Sequence, residues 1–308
     1  MYDASDPRAS LAPAKDKAMP AGPAFPASYA RFYDTAPQEV RPGLDSWIVR
    51  GQNFAVVYSA ADGEQVLERT GQPDEYVLLL PDATTSATIE AGGERREIAG
   101  YSVTFVPPGD SRITLPAGGR AIRLFTEAAA ELMAAASNAA TYDTPNAAIP
   151  PLKGWPAPKD GYRIRSYSLD VAPQPGRFGR IFRGSTFMVN WIEPKSGPRD
   201  PSLMSPHHHD DFEQCSLALS GEYIHHLRWP WTTDLAHWRE DEHEHCGSPS
   251  VAIIPPPAIH TSQAIGPGIN QLVDIFCPPR ADFSAKPGWV LNAEDYPLPE
   301  APAPDTAG

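Results

Sequence analysis

Cysteine is scarce in this chain, and the little there is excludes a disulfide scaffold. Cys215, Cys246 and Cys277 are too few, and odd in number, for a framework of bridges in 308 residues. They read as reduced thiols. Basic clusters are missing as well: 25 lysines and arginines stand against 38 acids, for a formal charge of −13. A surface that tracks phosphate needs the opposite balance, so no nucleic-acid partner is expected. No apolar run approaches the length of a membrane-spanning helix, and no membrane association is expected. A basic start followed by an apolar stretch is also absent, which makes cytoplasmic the expected localisation. The most telling absence is histidine, which does not occur before His207; all nine lie between His207 and His260.

Proline is plentiful, with 36 residues, and long helical patterns are few, which points to β structure with many turns. Residues 1–28 are rich in Ala, Pro, Lys and Asp without periodicity and read as a flexible arm; 296–308 read as a flexible tail. From Ser46 to Phe125 short apolar segments alternate with Gly, Pro, Asp and Ser, as in an antiparallel sandwich or barrel. The alanine-rich stretch Thr126 to Ala136 predicts a linker helix with Thr126 as its N-cap. A second run of short strands follows from Tyr162 to Phe276.

The two runs resemble each other. Glu75-Tyr76-Val77-Leu78-Leu79-Leu80-Pro81-Asp82 parallels Gln214-Cys215-Ser216-Leu217-Ala218-Leu219-Ser220-Gly221. Val106-Pro107-Pro108-Gly109-Asp110-Ser111-Arg112 parallels Ile254-Pro255-Pro256-Pro257-Ala258-Ile259-His260, with Arg112 where the second run has His260. Internal duplication explains both. The histidines belong to the second copy. On extended chain, residues two apart share a face, so His207 and His209 present two imidazoles together while His208 points away. Neutral imidazoles with an oxygen donor suit a divalent transition metal.

These stretches resemble the paired motifs of the cupin superfamily. His207 and His209 match the His-x-His pair of the first motif and Gly221 its glycine; Pro255 and His260 match the second, with Pro257 in place of its glycine. The resemblance implies an all-β bicupin: two double-stranded β-helix (jelly-roll) barrels joined by a short helix. The first barrel would span residues 29–140 and be degenerate; the second, 141–295, would bind the metal. The fourth ligand is open between Glu213, the residue type the family usually uses, and Gln214, which alone leaves six residues before Gly221. In the Gln214 register Ser216 and Ala218 face the barrel. In the first copy Arg69, Gly71 and Arg112 stand where ligands would be, and Glu75 is expected to pair with Arg112 inside that barrel.

The implied cofactor is one divalent transition metal per chain, Fe(II) first, with Mn, Ni or Zn as alternatives. Three imidazoles and one oxygen leave open positions, the mark of a catalytic rather than a structural site. The expected function is a metal-dependent enzyme acting on a small, potentially aromatic, organic acid, with dioxygenase-type chemistry first. The alternatives are isomerase, lyase or hydrolase chemistry on a redox-silent metal, or a metabolite-binding protein without turnover. His225 or His226, one of which must point inward on a strand, is the candidate acid/base, and Arg228 the candidate carboxylate anchor. Between its motifs the second copy is about ten residues longer than the first, around Arg228–Cys246, and this His- and Trp-rich insertion is a candidate pocket wall. A small-molecule substrate and a homodimer complete the expectation.

Overall fold

In a computed structural model of the chain, which describes residues 22–232 and 234–299, strands dominate and helices are short. The sheets group into two barrels. In the first, a seven-stranded sheet runs in spatial order Arg165–Ser168, Ser102–Val106, Tyr76–Leu80, Gly118–Thr126, Phe54–Asp62, Leu44–Arg50, Glu39–Arg41. It packs on a four-stranded sheet of Gln65–Gln72, Gly109–Leu115, Ala87–Ala91 and Glu94–Ile98. In the second barrel the large sheet runs Ser28–Arg31, Ser250–Ile254, Gln214–Ser220, Ile269–Phe276, Met188–Trp191, Arg180–Arg183. A three-stranded sheet of Glu242–Cys246, Tyr223–Arg228 and Ile259–Ala264 closes it. Among the described residues no helix is long and apolar enough to cross a membrane.

The two large sheets pack back to back. Their central strands are buried on both faces and therefore read as unbroken apolar runs, whereas a half-exposed strand alternates. Val77, Leu79, Val103, Ile122 and Leu124 of one sheet meet Cys215, Leu217, Val251, Val273 and Ile275 of the other in a shared core. Tyr76, Leu78 and Leu80 turn the opposite way and fill the first barrel with Ile89, Ile113 and Leu115. Apolar side chains fill most of that barrel, with Arg123 buried among them over the Phe125 ring. The second has separate apolar clusters, Leu227 with Ile254, Ala218 with Tyr223 and Leu272, and Met188 with Phe276 and Phe283 at one end, alongside buried His, Gln, Ser and Asp. At about 1.5–3 kcal/mol per buried large apolar side chain, the first barrel contributes cohesion and the second gives some of it up for polar groups.

Each barrel borrows from the other. Ser28–Arg31, at the start of the chain, pairs with Ser250–Ile254 of the second barrel. Arg165–Ser168 crosses back to pair with Ser102–Val106 of the first. A pair of buried carboxylates locks the exchange. Glu213 accepts from Gln52 N (2.6 Å) and Tyr142 Oη (2.8 Å); Glu75 accepts from Ser185 N (3.0 Å) and Tyr296 Oη (2.8 Å). The backbone donors lie in matching pentapeptides, Arg50-Gly51-Gln52-Asn53-Phe54 and Arg183-Gly184-Ser185-Thr186-Phe187. Glycine is required at both second positions by close approach: a Cβ at Gly51 would sit 2.5 Å from Glu213 Oε2, and one at Gly184 2.8 Å from Glu75 Oε2.

This symmetry corrects the register of the internal repeat. Glu75 corresponds to Glu213, not to Gln214, and Tyr76 corresponds to Gln214. The strand pairs agree, Tyr76 opposite Val106 and Gln214 opposite Ile254. Inside the first barrel Tyr76 Oη meets Ser111 Oγ at 2.8 Å, where the second barrel brings Gln214 to His260. The expected Glu75–Arg112 pair does not form; Arg112 is on the surface, bonded to Glu68. The linker helix is also shorter than expected, Ala130–Ala135, because Thr126 still belongs to the strand Gly118–Thr126 and its hydroxyl bonds Asp74. Of the N-terminal arm, residues 1–21 lie outside the described residues. Ala24 and Ala27 rest on the second barrel and Phe25 on Tyr142. Of the tail, 300–308 lie outside, and Tyr296 is buried at Glu75.

Candidate metal centre

His207, His209 and His260 converge in the second barrel; their ligand atoms all lie within 4.8 Å of one another, and all three residues are buried. Two backbone hydrogen bonds join the motifs that supply them, His207 N to His260 O (3.1 Å) and His260 N to His207 O (2.7 Å). His208 faces outward beside Asp210, as alternation requires. The His209 ring stacks on Phe212 (centroids 4.4 Å) and meets the edge of Phe276, which fixes its plane.

Hydrogen bonds set the tautomers. His207 Nδ1 lies 2.9 Å from Ser205 O, and His260 Nδ1 lies 2.9 Å from Ala258 O. A carbonyl can only accept, so both Nδ1 atoms carry the proton and both Nε2 atoms present a lone pair. Burial, reinforced by Arg280 and the other two imidazoles, holds the His209 pKa well below the usual histidine range. His209 is therefore suited to bind a metal without first losing a proton, and the Nδ1 bonds of His207 and His260 turn their Nε2 atoms toward it.

Gln214, not Glu213, faces them. Its Oε1 is 2.9 Å from His209 Nε2 and 3.2 Å from His260 Nε2. Its Nε2 donates to Ser216 Oγ (3.1 Å) and Asp274 Oδ1 (3.2 Å), which fixes the amide with oxygen toward the imidazoles. Glu213 is on the other face of the strand in the clamp described above, where burial pushes its pKa up to about 7. The donor set fits a divalent ion on its own evidence. His260 Nε2 and Gln214 Oε1 lie 3.2 Å apart with a lone pair on each, an arrangement that a cation bound by both resolves.

A cavity of about 510 Å³ opens onto His207, Gln214 and His260. Tyr223, Ser262, Asn270, Leu272 and Asp274 form its floor and walls, and the loop from Glu193 to Ser205 its rim. Arg199 secures that rim: its guanidinium bonds Ser262 O, Leu203 O and Ser205 Oγ, next to the carbonyl that holds His207.

The other predicted site residues divide by face. In the strand Tyr223–Arg228, Tyr223, His225 and Leu227 are buried. His225 is inward, with Nδ1 2.8 Å from Ser262 Oγ and Nε2 buried without a partner. Burial, with smaller contributions from His260, His226 and Arg31, lowers its pKa to about 3, so it is neutral at physiological pH. It reaches the cavity through Ser262 rather than directly. His226 lies on the outer face against His243 and Gln263. Arg228 is outer too, largely exposed and ion-paired with Asp241 at 2.6 Å, so it anchors nothing inside the barrel. The insertion does not line the cavity; Trp231 and Trp238 stack on each other at the surface (centroids 4.3 Å). Asp274, Ser262 and the 193–205 rim were missed in the sequence. Counting by twos along Ile269–Phe276 would have placed Asp274 with Leu272 and Asn270.

No family model and no curated protein matches the sequence. Solved structures do match the fold. A Lactobacillus farciminis oxalate decarboxylase in a formate complex aligns with TM-score 0.55 at 13% identity, covering 86% of this chain and 88% of that one. A variant of Bacillus subtilis oxalate decarboxylase aligns with TM-score 0.54 at 14% identity, covering 86% and 79%. The fold is that of a bicupin. Within this bicupin the second barrel holds the three-histidine site, and the first has Tyr76 and Ser111 in the corresponding interior.

Proposed function

We propose that this bicupin is a metal-dependent enzyme acting on a small organic acid, with dioxygenase-type chemistry on Fe(II) as its leading form and Mn, Ni or Zn as the alternative ions. One observation carries the reading: three buried imidazoles and an oriented amide oxygen converge on the wall of an open cavity. When bound there, a divalent ion supplies Lewis acidity and open positions for a substrate oxygen pair.

The chain's own residues supply the rest. A donor set of His207, His209, His260 and Gln214 is neutral, so it leaves the charge of a divalent ion uncompensated in the first shell and favours an anionic ligand. Asp274 holds the Gln214 amide in place from behind. Ser262, backed by the neutral His225, presents a hydroxyl to a bound acid; His225 orients that hydroxyl rather than donating a proton itself. Arg177 and Lys195 line the cavity wall and, unlike the outward Arg228, are the cations available to anchor a carboxylate. The fold-level likeness to enzymes named for oxalate, a small dicarboxylic acid, supports the substrate class.

The test is metal analysis of untagged protein followed by an oxygen-uptake screen with small aliphatic and aromatic acids. Bound iron with substrate-dependent oxygen uptake is the expected result. Turnover without oxygen on a redox-silent ion would replace dioxygenation by isomerase, lyase or hydrolase chemistry. Metal without turnover would make the chain a binding protein. Retention of stoichiometric iron or manganese, as purified, by both H207A and H260A would remove the site assignment altogether.

A further inference from the structure

Outside the barrel, on the opposite face of the strand that carries His225, two more imidazoles meet. His226 of Tyr223–Arg228 and His243 of Glu242–Cys246 are directly opposite each other in the antiparallel register. Their Nδ1 atoms are 2.8 Å apart, with ring centroids at 4.9 Å and planes 66° apart. His226 Nε2 lies 3.1 Å from Gln263 Oε1 on the third strand of the sheet. The amide oxygen accepts, so His226 carries its proton on Nε2 and offers a lone pair at Nδ1; His243 Nδ1–H fills that lone pair. A carbonyl oxygen fixing the far nitrogen of an imidazole is the outer-sphere arrangement of a ligating histidine.

We propose that His226 and His243 form a second, surface metal site, a two-imidazole clip for a borderline transition ion of tetragonal preference, Ni(II) or Cu(II). Donor type and open water positions point to the class of ion. Two nitrogens each about 2.0–2.1 Å from an ion are about 2.8–3.0 Å apart at a right angle, and about 3.3–3.4 Å apart at a tetrahedral angle. The 2.8 Å between the two Nδ1 atoms is the length of their hydrogen bond, and it leaves both nitrogens within reach of a single ion; imidazole donors with water in the remaining positions suit Ni(II) and Cu(II). Loading needs no net loss of protons from the neutral pair: His243 moves its proton from Nδ1 to Nε2, and the ion takes the place of the hydrogen bond. His243 is exposed, so water completes the coordination. Asp241, two residues before His243 on the same face, is held by Arg228 at 2.6 Å, and His245, two residues after, lies 3.8 Å from Glu222. The ion would tie the outermost strand of the three-stranded sheet to its neighbour.

The inner triad must be silenced to see the outer site. Untagged H207A/H260A protein is dialysed against Ni(II) at neutral pH and its metal content measured, alone and with H243A or H226A added. The expected result is about one Ni(II) per chain in the parent, with affinity falling at least tenfold on loss of either histidine. No Ni(II) in the parent, or equal binding without His243, overturns the proposal. Should H207A/H260A fail to fold, wild type and H243A are compared instead. One equivalent fewer in H243A supports the site, and an unchanged count overturns it. Because His207 and His260 are absent from the main experiment and the added variants change only His226 or His243, its outcome is independent of the function proposed above.

Discussion

At the scale of single residues, the informative position is Gln214. A glutamate there would still offer oxygen, but it could no longer donate to Ser216 and Asp274, and it would set a second carboxylate against the Asp274 carboxylate. Q214E is therefore expected to bind metal more weakly, and the double variant Q214E/D274N to recover much of the loss; metal competition titrations measure both. Asp274→Ala alone should cost about 10–100-fold in metal affinity, the usual effect of removing an outer-sphere partner, and unchanged affinity would mean that Gln214 needs no such support. The histidine ligands were legible because motif spacing and two-residue alternation act locally. Asp274 was not, since a lone acid in an apolar strand carries no motif and its role depends on a strand 58 residues away that brings Ser216 beside it. Arg228 misled for the converse reason: its type suits an anchor, but its parity on the strand sends it outside.

At the scale of elements, the clamps are the feature to test. Tyr142→Phe and Tyr296→Phe each remove one donor from a buried carboxylate, and each is expected to cost about 1–3 kcal/mol in denaturant unfolding. Glu75 also predicts a pH effect. Burial raises its pKa despite bonds from Ser185 and Tyr296, so the folded chain holds this proton to higher pH than the unfolded chain does. Its contribution is then greatest below the ordinary glutamate pKa of about 4.3 and declines as pH rises from there through the raised folded value. Glu75→Gln should flatten that decline; an unchanged pH profile of unfolding midpoints would show that Glu75 is ionised in the fold. The repeat was visible in the sequence, but its phase slipped by one. Tyr76–Leu80 is buried on both faces, so no alternation of polar and apolar residues marks which side is which. The signal that fixes the phase is the twice-occurring Arg-Gly-x-x-Phe, whose meaning depends on carboxylates in the opposite barrel.

At the scale of the whole molecule, strand exchange makes the barrels interdependent. Residues 141–308 expressed alone lack the strand Ser28–Arg31 and the Gln52 donor to Glu213, and they leave Arg165–Ser168 without its partner. That fragment is expected to be aggregation-prone and protease-sensitive, and co-expression with residues 1–140 to restore a folded complex; circular dichroism and limited proteolysis distinguish the cases. None of this pairing was legible, because contacts between segments from 60 residues apart (Arg165 and Phe105) to 225 (Ser28 and Ile253) leave no local pattern. The reciprocal clamps have one more consequence. A loop-to-carboxylate contact made in both directions is the geometry of an isologous interface, in which patch i meets j and j meets i about a two-fold axis. Here both halves lie on one chain, so the two partners are always present in equal number, and they are free to differ. One can hold the assembly together with a largely apolar interior while the other keeps a hollow, more polar one, a division of labour closed to a dimer of identical subunits.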